Sequence, residues 1–275
     1  MAARTKWIAL ATAALATAAG GSALEAQGRG AQTAPRGLLA QAVAAPTRTP
    51  ANVARDRYRH PAETLAFFGV RPEHRVLEVI PGGGGWYTEI LAPYLAARGT
   101  YLAAQPAGRG QDALRAKLAA APATYGKAKL VAFPLADAEV APGSVDRVLT
   151  FRNVHNFVMA EPGTAERHFA AMFRALKPGG VLGVVDHRLP EHRPVALERS
   201  SGYLKRSTVV RLAQGAGFRL DGESQVNANP RDTADHPEGV WTLPPVLRLG
   251  DKDREKYLAI GESDRMTLRF VKPRS

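Results

Sequence analysis

The run Val76-Leu77-Glu78-Val79-Ile80-Pro81-Gly82-Gly83-Gly84-Gly85-Trp86-Tyr87-Thr88-Glu89-Ile90-Leu91 holds the clearest chemistry in this chain. An apolar strand, a glycine turn and a helix start in that order let the backbone approach a nucleotide-type ligand, with unpaired helix N–H groups facing its polar end. Glu78 and the absence of a following Gly-Lys-Ser/Thr exclude a phosphate-binding P-loop. Asp186, His187 and His192 offer nitrogen and oxygen donors, but their spacing matches no strong metal-ligand motif, so no metal is expected. Cysteine is absent, which excludes a disulfide framework and a lipid-modified cysteine.

The elements around these residues alternate, as in a parallel sheet covered on both faces. Strands are predicted over Arg75–Ile80, Thr100–Ala104, Leu130–Phe133, Val145–Phe151, Val181–His187, Phe218–Val226 and Met266–Val271. Helices are predicted over Pro61–Phe68, Trp86–Ala97, Gln111–Ala119, Ala165–Ala175 and Thr208–Ala216, with Leu176-Lys177-Pro178-Gly179-Gly180 as a tight helix-to-strand turn. The stretch between Val226 and Met266 is rich in Asn, Asp, Pro and Gly and is long for a connection, which suggests a lid or binding loop.

With 275 residues, 45% hydrophobic and 23% charged, the composition is that of a globular protein. Arg4 and Lys6 precede an apolar run from Trp7 to Ala19 and then small residues, a secretory signal pattern assigned to residues 1–26. The run is shorter than the ~20 residues of a membrane span. Residues 27–51, rich in Ala, Gln, Thr, Gly and Pro, read as a flexible linker, and 52–275 as the folded domain, placed in the periplasm or secreted. The formal charge of +12 favours acidic surfaces or anionic ligands. Arg71, Arg109, Lys127, Arg193 and Arg248 are scattered, however, so nucleic acid is not expected as a partner, nor is a stable membrane span after signal removal.

Four blocks resemble the class I S-adenosylmethionine-dependent methyltransferases, and more narrowly a family of predicted, exported bacterial methyltransferases. They are Arg59–Val70, the glycine run, Asp146–Asn156 and Leu176–Gly180; the tail Gly261–Pro273 is a weaker fifth. The resemblance implies a Rossmann-like α/β fold whose seven-stranded sheet runs 3-2-1-4-5-7-6, last strand antiparallel, with helices on both faces. It also implies S-adenosylmethionine as cofactor, lying across the carboxyl ends of strands one to four, as ligands do in open α/β sheets.

Carried over residue by residue, the family pattern makes Glu78, Gly82, Gly83, Gly84, Gln105, Asp137 and Ala138 the cofactor-binding set. Two positions depart from it. Ile80 replaces the first glycine, and Gln105 stands where a carboxylate would take both ribose hydroxyls, an amide offering no charge assistance there. Asp137 with Ala138 resembles the pair that meets the adenine amino group. Asn153, His155 and Asn156 follow the fourth strand, where the family places substrate, and His155 is the base candidate because imidazole titrates near neutrality. His60 could close over the cofactor, and Tyr203 and Arg206 could shape the substrate side.

Three readings stay open. One is an exported methyltransferase acting on a small molecule or envelope component. A second, favoured by Ile80 and Gln105, is an exported Rossmann-like protein with a degenerate cofactor site that binds another ligand or performs different chemistry. In the third the apparent signal is not cleaved and the protein works in the cytosol or tethered to the inner membrane.

Overall fold

A computed structural model describes residues 37–274, so the expected signal peptide lies outside the described residues. β1 (Arg75–Val79), β2 (Thr100–Gln105), β3 (Lys129–Ala132), β4 (Val145–Phe151), β5 (Leu176–Leu189), β7 (Arg219–Ser224) and β8 (Arg265–Val271) form one sheet in the order β3-β2-β1-β4-β5-β8-β7. The two-residue β6 (Leu204–Lys205) pairs only with the end of β5. Leaving β6 aside, this is the predicted order, and β8 runs antiparallel to both β5 and β7.

Alternation along each strand divides the core between the two faces. Leu77, Val79, Val148, Leu182 and Val184 pack on one face against Phe169 and Met172 of the helix Thr164–Ala175 and Val209 and Leu212 of the helix Arg206–Gly215. Val76, Tyr101, Leu149 and Val185 pack on the other against Leu65 and Phe68, Ile90 and Leu91 of the helix Thr88–Leu95, and Leu114 of the helix Arg109–Ala120. Both faces are therefore closed to water, which leaves the carboxyl ends of the parallel strands as the open edge.

Two expectations fail locally. The linker expectation does not extend to residues 37–51: residues 37–43 are helical, and Leu39 and Ala42 are buried in the second cluster. Arg48 pairs with Asp56 through contacts of 2.6 and 2.8 Å, and Thr49 N–H donates to Glu89 at 3.1 Å. Those few apolar and ionic contacts suffice to dock a segment of otherwise loop-like composition. The Leu176–Gly180 turn is instead the bulged start of β5: Leu176 pairs with Val145, the register shifts before Arg147, and Gly179 N–H donates to Lys272 O at 2.9 Å. A bulge absorbs the extra residues without leaving the ladder.

The segment from Gln225 to Asp264 carries the 3-10 turn Gly239–Thr242 and the helix Arg254–Ile260. It is knotted by Asp232, which accepts from Tyr203 O–H at 3.0 and 3.1 Å, from His236 Nε2 at 2.8 Å and from Asp264 N–H at 2.7 Å. Among the described residues no helix is long and apolar enough to cross a membrane.

Candidate functional site

At the end of β1, Ile80 N–H still bonds Ala104 O of β2 at 2.8 Å, and then the chain turns off the sheet with Ile80 at φ 53°. That is the left-handed region glycine favours and a β-branched residue avoids. The replacement of the family's first glycine therefore leaves the glycine-type backbone in place, and the Ile80 side chain packs on the first core cluster. Arg152 does the same at the end of β4, with its N–H on Val185 O at 2.7 Å and φ 62°, and His60 takes φ 40° before the helix Pro61–Phe67. Each costs of order 1–3 kcal/mol, and such outliers gather at binding edges.

The glycine turn is open at alternate positions. A Cβ on Gly82 or Gly84 would meet nothing within 4 Å, so a ligand can approach the backbone there. On Gly83 it would lie 3.0 Å from Ala113 Cβ and 3.3 Å from Gly110 O, so that residue is glycine for packing against the helix after β2. Gln105 closes the same contact: its Oε1 accepts from Gly82 N–H at 3.0 Å, and its backbone oxygen accepts from Gln111 Nε2 at 3.0 Å.

Other sequence candidates have different surroundings. Glu78 is 2% exposed and faces inward, accepting from Tyr101 O–H at 2.6 Å, and Tyr101 in turn meets Thr88 Oγ1 at 2.8 Å. Burial pushes its carboxyl up to about 7, against the opposing pull of that hydrogen bond and of Arg59. Asp137 and Ala138 are exposed, and the Asp137 carboxylate lies 3.5 Å from Arg174 Nε. His192 is exposed on the turn after β5. Arg206 pairs with exposed Glu223.

Asn153 is a clip. Its Nδ2 donates to Val79 O at 2.8 Å and contacts Ile80 O at 3.3 Å and Thr150 Oγ1 at 3.2 Å, tying the loop after β4 to the glycine turn. Two residues later, His155 is buried with Nδ1 2.8 Å from Asp186 Oδ1. Asp186 Oδ1 also accepts from His187 N–H at 2.8 Å and Oδ2 from His155 N–H at 3.2 Å. A carboxylate that only accepts places the proton on Nδ1 and leaves His155 Nε2 free to take one.

A cavity of about 220 Å³ borders this dyad; its walls include Arg152, His155, Asn156, His187, Trp241 and Glu262. His187 holds Ser263 Oγ at 2.5 Å and is kept neutral by burial and by the guanidinium cations of Arg152, Arg265 and Arg59. The donor atoms of His155, Asp186 and His187 lie within 4.8 Å of one another. Both Asp186 oxygens are nevertheless engaged and the surroundings are cationic, an environment that repels a metal ion.

Sequence reading did not single out the arginines behind this cavity. Glu262 accepts from Arg55 Nε at 2.6 Å and Arg265 Nη2 at 2.9 Å, and Arg59 Nε approaches at 3.4 Å. Burial alone would raise the Glu262 carboxyl; Arg265, Arg59 and Arg55 hold it down at about 2. The only signal was the presence of Arg59 and of the Gly261–Arg265 segment within family blocks.

No protein-family model and no curated protein sequence matches the chain. Solved structures do. A S-adenosylmethionine-dependent methyltransferase from Aquifex aeolicus superposes with a TM-score of 0.53 at 15% identity, over 82% of this chain and 94% of that one. The chain has the methyltransferase-type fold. A putative sarcosine dimethylglycine methyltransferase from Galdieria sulphuraria gives 0.54 at 15% identity, over 78% and 83%. The cyclase SpnF gives 0.51 at 14%, over 78% and 82%. At such identities the likeness speaks for the fold alone, and fold does not fix chemistry.

Proposed function

We propose that this protein is an exported S-adenosylmethionine-dependent methyltransferase acting on a small molecule or envelope component. The observation that carries the reading is the Asn153 clip: one side chain joins the open glycine turn to the loop that bears the His155–Asp186 dyad. The open backbone at Gly82 and Gly84 fits the methionine part of the cofactor, and Asp137 with Ala138 would meet the adenine. Gln105, already bound to Gly82 N–H, steadies the turn and has only its amide nitrogen left for a ribose hydroxyl.

Bound, the cofactor supplies a methyl group already activated on a sulfonium, so the protein's task is alignment and proton removal. His155 Nε2 accepts the proton that the acceptor's nucleophile loses, Asp186 holds the ring in the necessary tautomer, and Asn156 with Trp241 borders the acceptor. The strap around Val240–Val246 supplies Val240, Trp241, Pro244, Pro245 and Val246 to the cavity wall.

A second reading has its own support. Gly83 packed on Gly110, and Gln105 in place of a carboxylate, favour a different ligand, and SpnF is a cyclase on this fold. Calorimetric titration with S-adenosylmethionine and S-adenosylhomocysteine separates the two. Micromolar binding supports methyl transfer, and no heat at millimolar ligand ends it. With labelled cofactor and small-molecule extracts as acceptors, His155→Ala should abolish labelling while cofactor binding persists; loss of both would contradict the base assignment. For export, the N-terminus of protein recovered from its cell should be Leu24 or Gln27, and an intact Met1 or Ala2 would overturn it.

A further inference from the structure

Four guanidinium groups, of Arg55, Arg59, Arg152 and Arg265, converge at the carboxyl edge around the single carboxylate of Glu262. Arg59 and Arg265 are 4% and 3% exposed, so this is an interior cluster. It is under-neutralised: Asp186 is the other carboxylate acting on Arg152, and His187 is neutral, which leaves a surplus of positive charge. Buried donors are also unmet. Nη2 of Arg55 and Nη2 of Arg59 have no hydrogen-bond partner. Among the described residues Arg152 makes no side-chain hydrogen bond or ion pair, although burial and the neighbouring Arg265 lower its pKa to about 10. Arg152 is half-buried at the cavity wall with no protein partner for its guanidinium among the described residues, and the chain holds its backbone at φ 62° to place it there, a strain of order 1–3 kcal/mol.

The small void shared by Arg59, Arg152, Asn227 and Arg265 is about 10 Å³ and holds no more than a water. Arg152 alone of the four also lines the larger cavity, beside His155. At 220 Å³ that cavity has room for roughly seven waters, hence for a small organic molecule. We propose that the ligand of this cavity is a small oxyanion-bearing molecule whose carboxylate or phosphate docks on Arg152, backed by Arg59 and Arg265, so that its nucleophile faces His155. This deepens the methyltransferase reading by naming the acceptor class, and rests on that reading only for the word acceptor. Guanidinium geometry suits both oxyanions, since each accepts two parallel N–H bonds.

The test uses the full chain at constant ionic strength, replacing sodium chloride by sodium acetate or sodium phosphate and following tryptophan fluorescence, to which Trp241 in the cavity wall contributes, and the melting temperature. Saturable binding of either anion beyond chloride is expected, weakened at least tenfold in Arg152→Gln and less in Arg152→Lys, which keeps the charge. Acetate above phosphate would name a carboxylate ligand, and phosphate above acetate a phosphorylated one. An Arg219→Gln surface control should bind as wild type. No saturable response, or an equal one in a folded Arg152→Gln, overturns the proposal. Competition resolves whose anion it is. Phosphate and S-adenosylhomocysteine should bind independently, with Arg152→Gln leaving the nucleoside's affinity unchanged. If instead they compete, and Arg152→Gln weakens S-adenosylhomocysteine but not 5′-methylthioadenosine, the arginines hold the cofactor's own carboxylate and the proposal fails. Anion binding through Arg152 with no binding of S-adenosylhomocysteine would sink the methyltransferase reading and leave the anion site standing.

Discussion

Glu78 offers a quantitative test of how the edge is built. Its carboxyl is buried and its pKa is raised from 4.5 to about 7, so the folded state holds a proton that the unfolded chain has released. The sign follows from linkage: the stability tied to this group is fully present below pH 4.5 and is lost as pH rises through 7. Across that window the loss is about 1.4 kcal/mol per pH unit, about 3 kcal/mol in all. Glu78→Gln removes the titration, and its side-chain oxygen can still accept from Tyr101 O–H. The new amide N–H₂ has no buried partner, a penalty of about 1–3 kcal/mol that does not vary with pH. Urea unfolding of both proteins between pH 4.5 and 8 should therefore show variant-minus-wild-type stability climbing by about 3 kcal/mol and levelling off above pH 7. His187 and His74, whose pKa values are lowered, raise stability with pH in the same range, but they cancel in the difference. Parallel curves for the two proteins would refute the claim that Glu78 is held protonated by burial.

Three further outcomes follow from the same geometry. Gly84→Val should abolish S-adenosylhomocysteine binding in calorimetry while the melting temperature stays near wild type, because the added side chain enters open space; a folded variant that still binds would remove the glycine turn from the site. Gln105→Ala should lower the urea midpoint by an amount equivalent to about 1 kcal/mol by leaving Gly82 N–H unpaired, and an unchanged midpoint would show water replacing the amide. Glu262→Gln should cost of order 3–5 kcal/mol at pH 7 by stripping the arginines of their counter-charge. Since the Glu262 carboxyl is depressed to about 2, its contribution in wild type is present above pH 4.5 and lost on acidification toward 2; acid titration followed by circular dichroism should show that component missing from the variant.

Much of the fold was legible because the period-two strands and the amphipathic helices are local patterns that tertiary packing reinforced. β4 was read to the residue, Val145–Phe151, since an apolar run bounded by a turn on one side and polar residues on the other leaves little choice. The start of β5 was misread: Leu-Lys-Pro-Gly-Gly has turn composition, and its pairing depends on Val145 and Lys272, which lie far along the chain. Residues 37–51 were misread for a related reason, their burial being decided by Glu89 and Asp56.

For the candidate site, the sequence by itself placed the glycine turn and His155 at the carboxyl edge of the sheet, because strand–turn–helix order and a parallel sheet dictate where such residues emerge. Only the tertiary structure decided which side chains meet there. Asp186 reaches His155 from a neighbouring strand, Asn153 reaches back to β1, and Arg55 and Arg59 meet Glu262 across some two hundred residues of chain. Such encounters depend on the register of non-adjacent strands and on the path of the Gln225–Asp264 connection, and neither leaves a periodic trace in the chain.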